Sequence, residues 1–149
     1  MAAIFKKGFT LIEMLTVVGI IAIVAAISFP VYQNMRPNIT LNSTARDLAT
    51  DMRYGQQLAV TEQIAYNVLF DTVASSYEVR NSSTNALMRK KILPSGITFS
   101  SITGLTANTA KFTATGAAAQ PGTIILANRK GQYSTIEIKP SGYVKISNQ

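Results

Sequence analysis

Lys6-Lys7-Gly8-Phe9-Thr10-Leu11-Ile12-Glu13 runs directly into Met14-Leu15-Thr16-Val17-Val18, and the apolar tract that follows meets no further charge until Arg36. As a helix, the uncharged residues 14–35 would be about 33 Å long, enough to cross a bilayer. Lys6 and Lys7 precede the tract, so the local basic excess places the N-terminal side in the cytoplasm and the rest of the chain outside. Glu13 sits near the start of the run, where a carboxylate costs less than the roughly 2.5–3.5 kcal/mol of mid-membrane. Two readings of Glu13 stay open: snorkelling towards headgroup water or Lys7, and pairing with a charge supplied by a partner.

A cleaved secretory signal would share the basic start, the apolar core and small residues such as Ala26-Ile27-Ser28. Glu13 and the absence of a break before Pro30 argue against it. A plain one-helix anchor explains the length and gives Glu13 no purpose. Pro30 removes one backbone hydrogen bond and crowds the carbonyl four residues earlier, so a kink or local melting is expected near Ala26. Gly19 permits close helix approach.

The run Lys7-Gly8-Phe9-Thr10-Leu11-Ile12-Glu13 followed by Met14-Leu15-Thr16-Val17-Val18 resembles the class III prepilin signal of type IV pilins and type II secretion pseudopilins. The resemblance implies that a prepilin peptidase cuts between Gly8 and Phe9 on the cytoplasmic side and N-methylates Phe9. It implies that the helix is retained, and that Glu13 attracts the N-terminal amine of a neighbouring subunit during filament assembly. Opposite charges attract strongly in a low-dielectric surround, although desolvation offsets much of the gain, so such a pair would set register more than stability.

After Arg36 the pair Pro37-Asn38 interrupts the pattern. Leu41, Ala45, Leu48, Met52, Gly55 and Ala59 then recur at spacings of four and three, the apolar stripe of a helix over residues 40–62. Asp47, Asp51, Arg46, Arg53 and Gln56 fall on its other faces, so this helix should lie on a sheet. Residues 65–70, 77–80 and 86–89 read as short strands with turn-rich connections. Residues 103–120, full of Gly, Ala, Thr and Asn, read as a weakly structured loop. Residues 123–127, 133–138 and 143–146 read as three strands joined by two tight turns, with Ile136 and Ile138 inward and Thr135, Glu137 and Lys139 outward. One helix followed by many strands predicts an α+β fold, a long N-terminal helix continuing into an amphipathic helix packed on an antiparallel sheet.

That arrangement is similar to the globular domain of the GspH/FimT group of minor pseudopilins and minor pilins. The likeness rests on Ala45-Arg46-Asp47-Leu48-Ala49-Thr50-Asp51-Met52-Arg53, on Ala59-Val60-Thr61, on a strand with Val68 and Phe70, and on turns at Gly131 and Gly142. It implies a leader over residues 1–8, a transmembrane and filament-core helix over 9–35, and an extracytoplasmic globular domain over 36–149. It also implies a single-pass protein of the bacterial inner membrane, with a periplasmic C-terminal domain, that passes into a pilus or pseudopilus with other pilin subunits as partners. Which machine, type II secretion or type IV pilus, the sequence separates poorly.

About 110 residues after the apolar tract suffice for one modest core. Cysteine is absent, so there is no disulfide framework, a departure from the many pilins with a C-terminal disulfide loop. With neither His nor Cys, the usual imidazole base, thiolate nucleophile and zinc-ligand sets are missing. Asp47 and Asp51 are i and i+4, but beside Arg46 and Arg53 they read as a solvated surface rather than a metal or acid–base pair. No Walker spacing surrounds Gly116 or Gly122. No catalytic residue, metal or cofactor is expected, and the chain reads as a structural subunit rather than an enzyme. The net charge is +7, and +5 without Lys6 and Lys7. Arg89, Lys90 and Lys91, with Arg129 and Lys130 at a hairpin tip, could bind nucleic-acid phosphates if gathered on one face. Some relatives in the FimT group are DNA receptors for natural transformation, so a DNA-binding minor pilin is the alternative. The plainer reading is edge protection and solubility, because no aromatic residues are interleaved with these charges.

Overall fold

A computed structural model describes residues 8–148, without the side chains of Pro30, Val31, Gln33, Asn34 and Asn148. Residues 1–7, with Lys6 and Lys7 of the expected leader, lie outside the described residues, as does the ring of Pro30. One helix, α1 (Leu11–Glu62), leads into eight strands: β1 (Tyr66–Asp71), β2 (Ser76–Asn81), β3 (Leu87–Ile92), β4 (Ile97–Thr103), β5 (Thr109–Phe112), β6 (Gly122–Asn128), β7 (Tyr133–Ile138) and β8 (Val144–Asn148). By contacts the chain divides into two compact units, Met1–Arg36 and Pro37–Gln149.

In the first unit the residues Leu11–Phe29 form a segment long and apolar enough to cross a membrane, with none of it buried by the protein. Its hydroxyls are satisfied within the helix: Thr16 donates to the Ile12 carbonyl and Ser28 to the Val24 carbonyl, both at 2.8 Å. Such internal pairing removes the penalty of a polar group among lipid tails. The helix runs without interruption through Ala26, Pro30 and Pro37. As expected, the apolar helix continues into the amphipathic one, here through Pro37-Asn38. A proline removes only one donor, and Asn38 already pairs as helix does, its Oδ1 accepting from Asn42 Nδ2 at 3.1 Å.

In the second unit the predicted stripe Leu41, Ala45, Leu48, Met52, Gly55 and Ala59 is buried. It packs with residues from both of two antiparallel four-stranded sheets, ordered β3-β2-β1-β5 and β4-β6-β7-β8. Val68, Tyr77, Val79 and Phe112 come from the first sheet, and Ile124, Leu126, Ile136, Ile138 and Val144 from the second. Phe70 and Phe99 meet edge-to-face at 5.8 Å and tie the sheets together. As expected, β6, β7 and β8 form a meander in which Ile136 and Ile138 point inward. The expected loop over 103–120 instead contains a 3-10 turn, Thr106–Asn108, and strand β5. Tyr66 pairs with Phe112 and Val68 with Ala110, so β1 selects this segment as a partner that local composition hides.

The unit has two poles along α1. At the far pole, where α1 ends, the Tyr66 hydroxyl donates to Glu62 at 2.6 Å, the Gln56 side chain to the Gly116 carbonyl at 2.7 Å, and Gly142 packs against both Gly116 and Gln56. From there β1 returns towards the near pole, where the chain enters at Pro37. Leu93 and Pro94 lie there beside Thr44 and Asp47. The β1–β2 tip is tied to this turn by Leu93 N–H donating to the Ser75 carbonyl at 2.8 Å. The pairing of Ile97 with Asn128 brings the β6–β7 tip to the same end.

Candidate functional site

The helix start is built as a capping box. Thr10 precedes α1, and its hydroxyl accepts from the Glu13 N–H at 3.3 Å. The Glu13 carboxylate accepts in return from the Thr10 N–H at 3.3 Å and the Thr10 hydroxyl at 3.2 Å. Reciprocal bonds of this kind satisfy two of the donors that every helix leaves open, and place a negative charge at the positive end of the helix dipole. The signal was legible as Thr10-Leu11-Ile12-Glu13, a Thr-x-x-Glu pattern before an apolar run, and reading Glu13 only as a membrane charge missed it. Gly8 and Phe9 lie before the helix, exposed and without regular structure. The bond between them thus lies in exposed, irregular chain, with Glu13 held by its cap four residues after Phe9.

On the globular unit, the basic residues of β3 are engaged. Asp51, expected on a solvated face, is only 3% exposed. Its carboxylate accepts from the Tyr77 hydroxyl at 2.6 Å and is ion-paired with Arg89, whose guanidinium lies 4.7 Å from the centre of the Tyr54 ring. One turn earlier Asp47 pairs with Lys91 at 2.8 Å, and on the opposite face of the sheet Lys90 pairs with Glu78 at 2.8 Å. The spacing explains the match. Residues two apart on a strand are about 6.7 Å apart, and residues four apart on a helix rise about 6 Å, so Arg89 and Lys91 meet Asp51 and Asp47 rung for rung. Arg89 and Lys91 stand opposite the buried Val79 and Tyr77, where an inner strand would carry apolar side chains. Charges pointing inward on an edge strand discourage edge-to-edge association.

The electrostatics follow from these contacts. The hydrogen bond and charge of Asp51 hold the Arg89 guanidinium above its usual range. Burial, then the hydrogen bond to Asp51, pushes the Tyr77 phenol far above the ordinary tyrosine range. Lys90 and Arg80 hold the Glu78 carboxyl below the usual carboxylate range. The bond to Glu62, then burial, raises the Tyr66 phenol.

Arg129 and Lys130 stand at the exposed β6–β7 tip, apart from the β3 cations, which point to the helix flank and to β2. The arrangement does not gather the five cations into one phosphate-binding face. A shallow hollow beside Asp71, Ser76 and Glu78 offers no general base. Glu78 is held by Arg80 and Lys90, and Asp71 accepts from its own turn at Val73 and Ala74. Among the described residues no cluster of three metal-ligating side chains occurs.

Comparison with known proteins accords with this geometry. Residues 5–29 match the prokaryotic N-terminal methylation motif, and residues 44–142 match the family described as type II transport protein GspH. A stretch of 29 residues is 62% identical to prepilin peptidase-dependent protein D of Escherichia coli (strain K12), and covers 20% of this chain and 20% of that protein. Among solved structures, the minor pseudopilin EpsH from the type 2 secretion system of Vibrio cholerae superposes with a TM-score of 0.61 at 10% identity, over 72% of this chain and 96% of that one. The type IV minor pilin FimU of Pseudomonas aeruginosa (strain PAO1) gives 0.61 at 18% identity, over 76% of this chain and 91% of that one. Likeness at these identities establishes a shared fold. With the GspH match covering more than half of its residues behind an N-terminal methylation motif, the chain belongs to the GspH family of type II transport proteins.

Proposed function

We propose that this protein is a minor pseudopilin or minor pilin, a structural subunit that waits in the bacterial inner membrane and is assembled through α1 into a short fibre. The observation that carries the reading is the junction of an exposed Gly8-Phe9 bond, a capped helix start at Thr10 and Glu13, and the apolar segment Leu11–Phe29. A prepilin peptidase removes residues 1–8 and methylates Phe9, and the helix remains as membrane anchor and then as filament core. Work of this kind is mechanical, supporting protein secretion or pilus biogenesis, and asks for no catalytic group, metal or cofactor. The bend expected at Pro30 would serve packing in the fibre.

Glu13 has two jobs in this reading. In the waiting subunit it caps its own helix, and during assembly its charge meets the Phe9 amine of a neighbour. Glu13→Gln separates them, because glutamine still accepts from the Thr10 N–H but carries no charge. Both Glu13→Gln and Glu13→Ala should leave processing intact and reduce recovery of the chain in sheared fibres. Normal incorporation of the Gln variant with loss of the Ala variant would assign Glu13 to capping alone and overturn the charge-pairing role.

A further inference from the structure

The near pole of the globular unit carries exposed apolar and basic side chains at two hairpin tips. At the β1–β2 tip Val73 is 96% exposed. It is held there by the turn: Asp71 Oδ1 accepts from the Val73 and Ala74 N–H groups at 2.9 and 2.8 Å, while the other carboxylates at this end, Asp47 and Glu78, are ion-paired with Lys91 and with Arg80 and Lys90. Ile92, paired with Ser76 at the base of that hairpin, is 70% exposed. At the β6–β7 tip Arg129 and Lys130 are exposed, and Tyr133 follows at 44% exposure. This tip is also built, since Asn128 Oδ1 accepts from the N–H groups of Lys130 at 2.9 Å and Gln132 at 3.1 Å. The Arg129 side chain passes over Gly96, where a Cβ would stand 3.3 Å from its Nε. At the far pole the β2–β3 connection, residues 82–86, carries neither a cation nor a large apolar side chain, and the β7–β8 connection, residues 139–143, carries Tyr143 and one cation, Lys139, which is ion-paired with Glu137.

We propose that this pole is a docking surface for the anionic phospholipid bilayer into which the chain is anchored, with Arg129 and Lys130 on phosphates and Val73, Ile92 and Tyr133 at the headgroup–acyl boundary. An apolar tip at the same end as a basic one, with Tyr133 at the base of the second, matches an interface that is apolar on one side and negatively charged on the other. The tether fits. Phe29 ends the apolar segment and Pro37 begins the globular unit, both within α1. Only seven residues, 30–36, join the two, a reach of at most about 29 Å even fully extended, so the globular unit stays close to the headgroup layer. The contact would hold the waiting subunit against the membrane until α1 is withdrawn. It rests on the reading of Leu11–Phe29 as a membrane anchor.

The chain has no cysteine, so a single Val73→Cys takes one environment-sensitive fluorophore, and Ser83→Cys at the far pole is its control. The full chain is reconstituted in liposomes of phosphatidylcholine with or without phosphatidylglycerol, containing a headgroup nitroxide quencher. Quenching at position 73 should exceed that at position 83 only with the anionic lipid. It should fall in high salt, and the contact equilibrium should weaken about fivefold for each of Arg129→Gln and Lys130→Gln. Equal quenching at both positions, indifference to lipid charge, or a position-73 response to duplex DNA but not to anionic lipid would overturn the proposal. Flotation with the liposomes reads the anchor separately: a chain that floats without the tip signal refutes only the docking surface, and a chain that fails to float refutes the anchor.

Discussion

Replacing Arg89 by methionine should unsettle the globular unit far more than loss of a surface cation normally does. The Asp51 carboxylate is 3% exposed, so without Arg89 it keeps one donor, the Tyr77 hydroxyl, and no counter-charge. Breaking a fully buried ion pair costs about 3–5 kcal/mol. The Arg89 side chain is 46% exposed, and solvent reaching it lowers the figure to about 1.5–2.5 kcal/mol. Loss of the stack on Tyr54 adds about 0.5 kcal/mol. For a unit of this size, with an unfolding entropy of about 2.1 cal/mol/K per residue, a loss of about 2–3 kcal/mol lowers Tm by roughly 8–13 °C. Asp51→Asn keeps an acceptor for Tyr77 and removes the charge, so combining it with Arg89→Met should bring stability back to within about 1 kcal/mol of the parent chain. Urea unfolding of the full chain in mild detergent, followed by tyrosine fluorescence, measures the cycle. Strict additivity of the two substitutions, or a change below about 0.5 kcal/mol for Arg89→Met alone, would refute the buried pairing.

The glycines and tyrosines give two further tests. Gly142→Ala sets a Cβ against the Gly116 carbonyl and the Gln56 amide at φ +82°, whereas Gly131→Ala at φ +74° meets nothing within 4 Å. The first should cost more than about 3 kcal/mol and the second about 1–2 kcal/mol in the same urea assay, and equal losses would contradict the far-pole packing. Tyr77 and Tyr66 have raised phenol ranges, so the folded state holds their protons more tightly than the unfolded chain. Their contribution is complete below pH 10 and is lost as pH rises above it, at up to about 1.4 kcal/mol per pH unit for each. Tyr77→Phe should flatten that alkaline decline, and an unchanged slope would count against the buried hydroxyl.

How far the sequence could be read depended on whether the deciding contact was local. The long apolar helix, the stripe from Leu41 to Ala59 and the inward isoleucines of β7 follow from spacing along one element, and the structure forms them as expected. Asp51 stands off the centre of that stripe, and only β3 covering the helix flank turns it from a surface charge into a buried one. Strand β5 was hidden for a similar reason: Thr109-Ala110-Lys111-Phe112 has little strand character of its own, and its partner β1 lies about forty residues earlier. Division of the strands into two sheets likewise rests on long-range pairing. The capping box was the opposite case, fully local and written in Thr10 and Glu13, but overshadowed by the cost of a membrane carboxylate.

A subunit processed for fibre assembly must begin at a different residue from the one its gene encodes. Intact-mass and N-terminal peptide spectrometry of the chain from the membranes of a host with prepilin peptidase reads that residue. The predicted mature chain starts at Phe9, lacks residues 1–8 and carries one additional methyl group on its amine. A chain starting at Phe29 would make the apolar tract an ordinary cleaved signal, and one retaining residues 1–8 would make it a plain anchor; either result would contradict the pilin reading.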